Sequence, residues 1–214
     1  GEGDRFGEII NKTGNSWDFE KNIFANAAYS VNGNWYITGT VDPFQLTVKD
    51  NYFYGSEVSN GIALWGDLQT IYVMNNTWED NGGWAMNLNN VQGEISNNVI
   101  KNTAISGPEW YDDQAGIILA SDANDVSLMA NTFDLLSASA VNIYDTFGGS
   151  LAAHNNIFKN IDFAAVKVRN DGKDADLSGV EFVDNTFENN LAILENNSAN
   201  TLNASSNWLG SEMS

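Results

Sequence analysis

One asparagine motif recurs eight times along this chain of 214 residues. In each copy an Asn stands two residues before a bulky apolar residue, and successive copies are 29, 25, 22, 33, 25, 29 and 22 residues apart. The repeated residues are Asn22, Asn51, Asn76, Asn98, Asn131, Asn156, Asn185 and Asn207. A repeat of this length indicates a solenoid, in which each coil stacks on the one before it.

A strand-like pattern precedes every repeated Asn. The residues three and five positions before it are apolar, with Gly93 as the single exception, and most residues between them are polar. This alternation predicts a half-buried first strand that ends at the Asn. A second predicted strand, with apolar first and third members, recurs at Ile62–Trp65, Met86–Asn89, Ile117–Ala120, Val141–Tyr144, Val166–Arg169 and Leu191–Leu194.

The repeated Asn predicts a tight turn between stacked coils. Asn tolerates a positive φ and bonds to local backbone, and Asn side chains in adjacent coils are close enough to bond to each other. The apolar residue two positions later has the same phase in every coil. We therefore expect Phe133, Phe158 and Phe187 to form one interior stack.

The motifs resemble those of the right-handed parallel β-helix, the fold of pectate-lyase-like proteins and of many bacterial surface proteins. The resemblance covers Trp17 to Leu209, and Ser206–Gly210 is similar to the last coil of such helices. It implies an all-β, single-domain rod of about eight coils, on the order of 40 Å long. We expect residues 1–16 to be an N-terminal lead-in or partial cap and residues 17–214 to be the β-helix domain.

Composition limits the partners and the location of the protein. The formal net charge is −19, which disfavours binding to nucleic acid or anionic membranes, and cysteine is absent. No apolar run is long enough for a membrane-spanning helix, so membrane insertion is not expected. Absence of cysteine is common in exported bacterial proteins, and the first residues do not resemble a signal peptide. We expect an extracellular or bacterial cell-surface domain, either processed or part of a larger exported protein.

The outward side of the second predicted strand is the candidate functional surface. Aromatic and amide side chains alternate there, and Lys167 and Arg169 are two of only nine basic residues. Sugar rings stack on aromatic faces, while amides bond to hydroxyl groups. The longest coil adds an insertion beside this strand. The predicted glycan-binding residues are Trp65, Asn87, Trp110, Asn142, Tyr144, Lys167 and Arg169.

Two functions fit this surface. The first is a non-catalytic, adhesin-like module that binds polysaccharide. The second is a polysaccharide lyase or glycoside hydrolase acting on a uronate-containing glycan, with Lys167, Arg169, Asp112 and Asp113 as its catalytic residues. The Asn-Thr-Asp and Gly-His-Gly runs of polygalacturonases are missing, which favours the first function. His154, the single histidine, is predicted on the first-strand face, away from these residues.

A polar stretch after the second strand suggests a cation site. Asn170, Asp171, Asp174 and Asp176 supply oxygen ligands at short spacing, a pattern that suits Ca²⁺. The stretch has no closing bidentate Glu, so an ordinary polar turn is the alternative reading. Ca²⁺ is the single cofactor that the sequence suggests.

Overall fold

The protein is a parallel β-solenoid with three strands in each coil. The computed structural model describes residues 16–25, 32–36, 45–55, 61–65, 68–103, 115–121 and 124–210. Regular structure in these residues consists of strands alone, assembled in three sheets of seven strands each. No helix in the described part of the chain is long and apolar enough to cross a membrane.

Each coil contributes one strand to each sheet, in the same order. The first sheet contains β1 (Ser16–Glu20), β4 (Gln45–Lys49), β7 (Gln69–Met74), β10 (Val91–Ser96), β13 (Asn124–Met129), β16 (Gly149–His154) and β19 (Gly179–Val183). The second contains β2 (Ile23–Ala25), β5 (Tyr52–Tyr54), β8 (Thr77–Glu79), β11 (Val99–Thr103), β14 (Thr132–Leu136), β17 (Ile157–Ile161) and β20 (Thr186–Glu188). The third contains β3 (Asn32–Tyr36), β6 (Gly61–Trp65), β9 (Met86–Asn89), β12 (Ala115–Ala120), β15 (Ser139–Ile143), β18 (Ala164–Val168) and β21 (Ala192–Asn196).

The predicted all-β solenoid is confirmed, with a slightly smaller number of coils. The expected count of about eight is too high, because each sheet holds seven strands. The eighth Asn motif adds only isolated parallel bridges, from Asn203 to Glu181 and from Trp208 to Thr186. The predicted lead-in at residues 1–16 lies outside the described residues, apart from Ser16, which begins β1.

The residues after each repeated Asn form a sheet of their own, which the sequence pattern did not reveal. The second predicted strand is therefore the third strand of each coil. Its last copy is also displaced from the predicted register. Leu194 pairs with Val166, and Glu195 pairs with Lys167, whereas the prediction placed Ala192 beside Lys167.

The predicted hydrogen-bonded column of asparagines, the Asn ladder, is confirmed along the rod. Asn131 is typical: its side-chain Nδ2 donates to Asn156 Oδ1 at 3.0 Å, and its backbone N–H donates to the same oxygen at 2.9 Å. Nδ2 also donates to the carbonyl of Ile95 in the preceding coil at 2.9 Å. Each Asn thereby satisfies backbone groups that the turn removes from the sheets.

The sequence predicted that the ladder Asn itself adopts the left-handed conformation of the turn. In the structure, the residue before it has the positive φ. The residues with positive φ at this turn are Lys21, Asp50, Asn75, Asn97, Ala130, Asn155, Asp184 and Ser206. The ladder Asn side chains from Asn51 to Asn185 are instead buried, and Asn156 is fully buried. The Asn therefore recurs at the same position of every coil because its side chain makes these hydrogen bonds, and not because its backbone has a positive φ.

The predicted interior stack of phenylalanines is also confirmed. Phe158 lies between Phe133 and Phe187, with ring centroids 4.9 Å away on each side and nearly parallel planes. A second stack, toward the other end of the rod, joins Phe53 to Phe24 and Trp78 at 4.7 and 4.6 Å. The residue at this phase in the coil between the stacks is Ile100.

Candidate functional site

Strand pairing in the third sheet aligns the candidate residues in two outward columns. The first column contains Asn87, Ile118, Asn142, Lys167 and Glu195. In the second, the backbone of Tyr144 bonds to Leu119 in the preceding coil, and Arg169 bonds to Ile143. Tyr144 and Arg169 are therefore neighbours in adjacent coils, as the sequence predicted.

The middle of this face is buried. Ile118, Ala120 and Asn142 point outward from the sheet, yet Asn142 has 0% of its surface exposed and the other two are almost fully covered. The prediction that Asn142 is accessible to a glycan is therefore wrong for this structure. Its burial separates Asn87, which is half-buried, from Lys167 along the first column.

Four residues at the C-terminal coils form what we call the ring–cation patch: Tyr144, Phe163, Lys167 and Arg169. Lys167 Nζ lies 4.9 Å from the centroid of the Phe163 ring, and Arg169 Cζ lies 4.5 Å from that of Tyr144. Both distances are within the range of favourable cation–π contacts. Lys167 belongs to β18 and Arg169 follows that strand directly, so the sheet fixes the spacing of the two cations.

Arg169 also forms an ion pair with Asp171 on the loop that follows β18. The Arg169 side chain is 15% exposed, whereas that of Asp171 is 50% exposed. The guanidinium is therefore held on one side by the Tyr144 ring and faces a carboxylate at the solvent side. Planar guanidinium groups bind carboxylates strongly, so this position is suited to a carboxylate ligand.

The predicted calcium ligands lie on this loop, but several already have partners within the protein. Asp174 Oδ1 accepts from Asn170 Nδ2 and from the Ala199 N–H, each at 2.8 Å. The backbone N–H of Ser178 donates to Asp176 and lowers the pKa of that carboxyl group. In the described part of the chain, no group of three or more His, Asp or Glu side chains is placed to hold a metal. Calcium binding by this loop stays a prediction.

The remaining predicted residues are only partly placed. Trp65 is the last residue of β6, but its side chain is not described. Trp110, Asp112 and Asp113 lie outside the described residues, so their approach to Lys167 stays a prediction. His154 is on β16 in the first sheet, as predicted, and its Nε2 lies 3.0 Å from Glu181 Oε1.

Sequence reasoning missed two residues of this region, Phe163 and Glu195. Phe163 lies in the short turn between β17 and β18, where strand alternation assigns no side, and it is 41% exposed. The sequence feature that could have identified Phe163 as a neighbour of the patch is its position four residues before Lys167. Glu195 was assigned no role because the register of the last strand was misread.

Three parallel sheets, the Asn ladder and the stacked interior rings together define a β-helix. The chain belongs to the right-handed β-helix family, since the family model described as "Right handed beta helix region" matches residues 8–187. No curated protein and no solved structure matches the chain. The fold is consistent with proteins that bind carbohydrate or act on polysaccharides.

Proposed function

We propose that this protein is a non-catalytic, adhesin-like module that binds polysaccharide through the ring–cation patch. The observation that carries the proposal is the pair of cation–ring contacts, Lys167 with Phe163 and Arg169 with Tyr144. Rings offer apolar faces to sugars, and the cations offer donors to hydroxyl and carboxylate groups. An extracellular or cell-surface location belongs to the proposal, because a module of this kind meets large polymers there.

The two cations of the ring–cation patch favour an acidic glycan locally, against the overall charge of the chain. The chain carries 28 acidic residues against nine Lys and Arg, so its overall field repels polyanions. Outward Lys101 and Lys159 on the second sheet are paired with Glu79 and Asp134 at 2.9 and 3.1 Å. On the third sheet, Lys167 lies against Phe163, and Arg169 lies against Tyr144 and is also paired with Asp171. Among the ion pairs of the described residues none includes Lys167, so its ammonium group is better placed to meet a ligand anion.

The alternative function is a lyase or hydrolase acting at the same patch. The observation that favours it is the adjacency of Lys167 and Arg169, since a lyase needs a base next to a group that neutralises the uronate. Such an enzyme would use Asp112 or Asp113 as a further acid or base. Catalysis leaves new chain ends in the polymer, whereas binding alone leaves the polymer unchanged, so one experiment distinguishes the two functions.

The test is affinity electrophoresis on polygalacturonate, alginate and neutral dextran, with and without Ca²⁺. The variant is Lys167→Gln/Arg169→Gln, and the matched control is Lys101→Gln/Lys159→Gln, which removes the same charge from another sheet. We expect the wild type and the control to be retarded by the acidic polymers, and the patch variant to lose this retardation. Equal retardation of all three proteins would reject the patch as the binding surface. New unsaturated or reducing ends in the incubated polymer would establish the enzyme instead.

A further inference from the structure

We propose that Asp171 acts as an internal competitor for the carboxylate of a bound glycan, and that it must leave Arg169 before the ligand binds there. This inference rests on the proposed function of the ring–cation patch. It specifies the ligand as a carboxylate-bearing glycan, because the guanidinium already holds a carboxylate in the free protein. It also assigns Asp171 a role in affinity rather than in folding.

The geometry places a protein carboxylate where the ligand's would lie. Arg169 Nη2 contacts Asp171 Oδ2, while the Tyr144 ring lies 4.5 Å from the guanidinium carbon. Stacking on the ring limits the orientations of the guanidinium, so the position of its donors is largely set before a ligand arrives. A uronate carboxylate approaching from solvent would meet the same donors that now face Asp171.

Asp171 differs from the other acids of its loop in having no bond that holds the loop together. Asp174 accepts from Asn170 and from the backbone of Ala199, and Asp176 accepts from the backbone of Ser178. Among the contacts of the described residues, Asp171 makes only the ion pair with Arg169. Its carboxylate can therefore move away without breaking these loop hydrogen bonds.

The backbone next to Asp171 is compatible with such a movement. Gly172 has a φ of +122°, and an added Cβ there would meet no atom within 4 Å. The neighbouring loop residues are exposed. The Asp171 side chain is 50% exposed, so water and salt screen its carboxylate, whereas the Arg169 side chain is 15% exposed. A polymer with many carboxylates can thus displace Asp171, but with a loss of affinity.

The experiment compares Asp171→Asn with Asp145→Asn in affinity electrophoresis on polygalacturonate and dextran, with EDTA present to exclude any effect of calcium. Asp145 follows Tyr144 directly and takes part in none of the ion pairs of the described residues. Both substitutions remove one negative charge close to the patch. We expect Asp171→Asn to tighten polygalacturonate binding about two- to fivefold, and more than Asp145→Asn does, with dextran unaffected.

Each other outcome rejects the inference in a different way. Equal gains in both variants would mean that only net charge matters. No change in Asp171→Asn would mean that Asp171 does not compete, and weaker binding would mean that it orients Arg169 for the ligand. In these cases the proposed function would still hold if the wild type binds polygalacturonate and Lys167→Gln/Arg169→Gln does not. If neither the wild type nor Asp171→Asn binds any acidic polymer, the proposed function fails together with the inference.

Discussion

The guanidinium carbon of Arg169 lies 4.5 Å from the centroid of the Tyr144 ring in the preceding coil. One face of Tyr144 is thus covered by a cation, so the ring both orients Arg169 and adds apolar surface beside it. The contact joins two coils that meet otherwise through strand pairing, as in the backbone bond from Arg169 N to Ile143 O at 2.9 Å. Tyr144 is therefore the residue whose loss should most disturb the ring–cation patch.

Replacing Tyr144 with Ala should weaken polygalacturonate binding by about 1–3 kcal/mol, the range of a ring at a binding hot spot. Tyr144→Phe keeps the ring face and should retain most of the affinity. The measurement is isothermal titration calorimetry with polygalacturonate oligomers. His154→Ala, on the first sheet, is the control and should bind like the wild type. Normal binding by Tyr144→Ala would move the search to the first-sheet face that carries Tyr72 and Met74.

Truncation of Phe158 to Ala should destabilise the protein by about 3–5 kcal/mol, because stacked rings on both sides prevent the cavity from collapsing. Phe158 is fully buried between Phe133 and Phe187, and the Phe182 ring lies 6.5 Å away. Phe187→Ala should cost less, because the residue at the same position of the next Asn motif is Leu209, which is 44% exposed. Urea denaturation measures both changes, and a loss under about 1 kcal/mol for Phe158→Ala would contradict its position in the stack.

Substitution of Asn156 by Leu should cost at least about 1–3 kcal/mol, the penalty for one buried polar group left without a partner. Its Oδ1 accepts from the backbone and side chain of Asn131, and its Nδ2 donates to Leu128 O and Asn185 Oδ1 at 2.8 and 2.9 Å. Leu can make none of these bonds.

Asn22→Leu is the matched control for Asn156→Leu, because Asn22 is an exposed member near the end of the Asn ladder. Water can replace its partners, so the free energy of unfolding should change by only a few tenths of a kcal/mol, well below the buried penalty of about 1–3 kcal/mol. Equal losses in the two variants would show that burial does not set the strength of the ladder.

The sequence predicted the ladder and the core well because both repeat at a fixed phase from the Asn. It missed the second sheet because strands such as β5 and β8 have three residues, too few to display alternation. It placed Lys167 and Arg169 correctly from their outward phase. It could not predict the burial of Asn142, because alternation assigns a side of the sheet but does not report what packs against that side.

Leu135→Gly should stabilise the protein by about 0.5–1 kcal/mol, because Leu135 has a φ of 55° and its side chain is 55% exposed. A residue with a Cβ atom is strained in the left-handed region, and little packing is lost when the exposed Leu135 side chain is removed. Ala130→Asn, at a φ of 53°, should give a gain in the same direction, since Asn97 and Asn155 occupy this turn position in adjacent coils. Thermal unfolding measures both, and destabilisation by both would contradict the strain argument.

The contact between Tyr52 and Glu79 should make the stability of the protein depend on alkaline pH. The Tyr52 hydroxyl donates to Glu79 Oε2 at 2.7 Å, and this bond, followed by burial, raises the pKa of Tyr52 from 10.0 to about 12. Since the folded pKa is above the unfolded one, the stabilisation is complete below pH 10 and is lost as the pH rises toward 12.

At acid pH, the contribution of Glu79 to stability changes in the opposite direction with pH. Hydrogen bonds from Lys101 and then Tyr52 lower the pKa of Glu79, so its contribution is present above the unfolded value of 4.5 and is lost as the pH falls through the folded pKa. Glu79→Gln should therefore flatten the stability profile at both ends and return the pKa of Tyr52 toward 10.0. A difference absorbance titration against Tyr52→Phe isolates this phenol from the other tyrosines. If the Tyr52 pKa were the same with Glu and with Gln at position 79, the hydrogen bond would not be its cause.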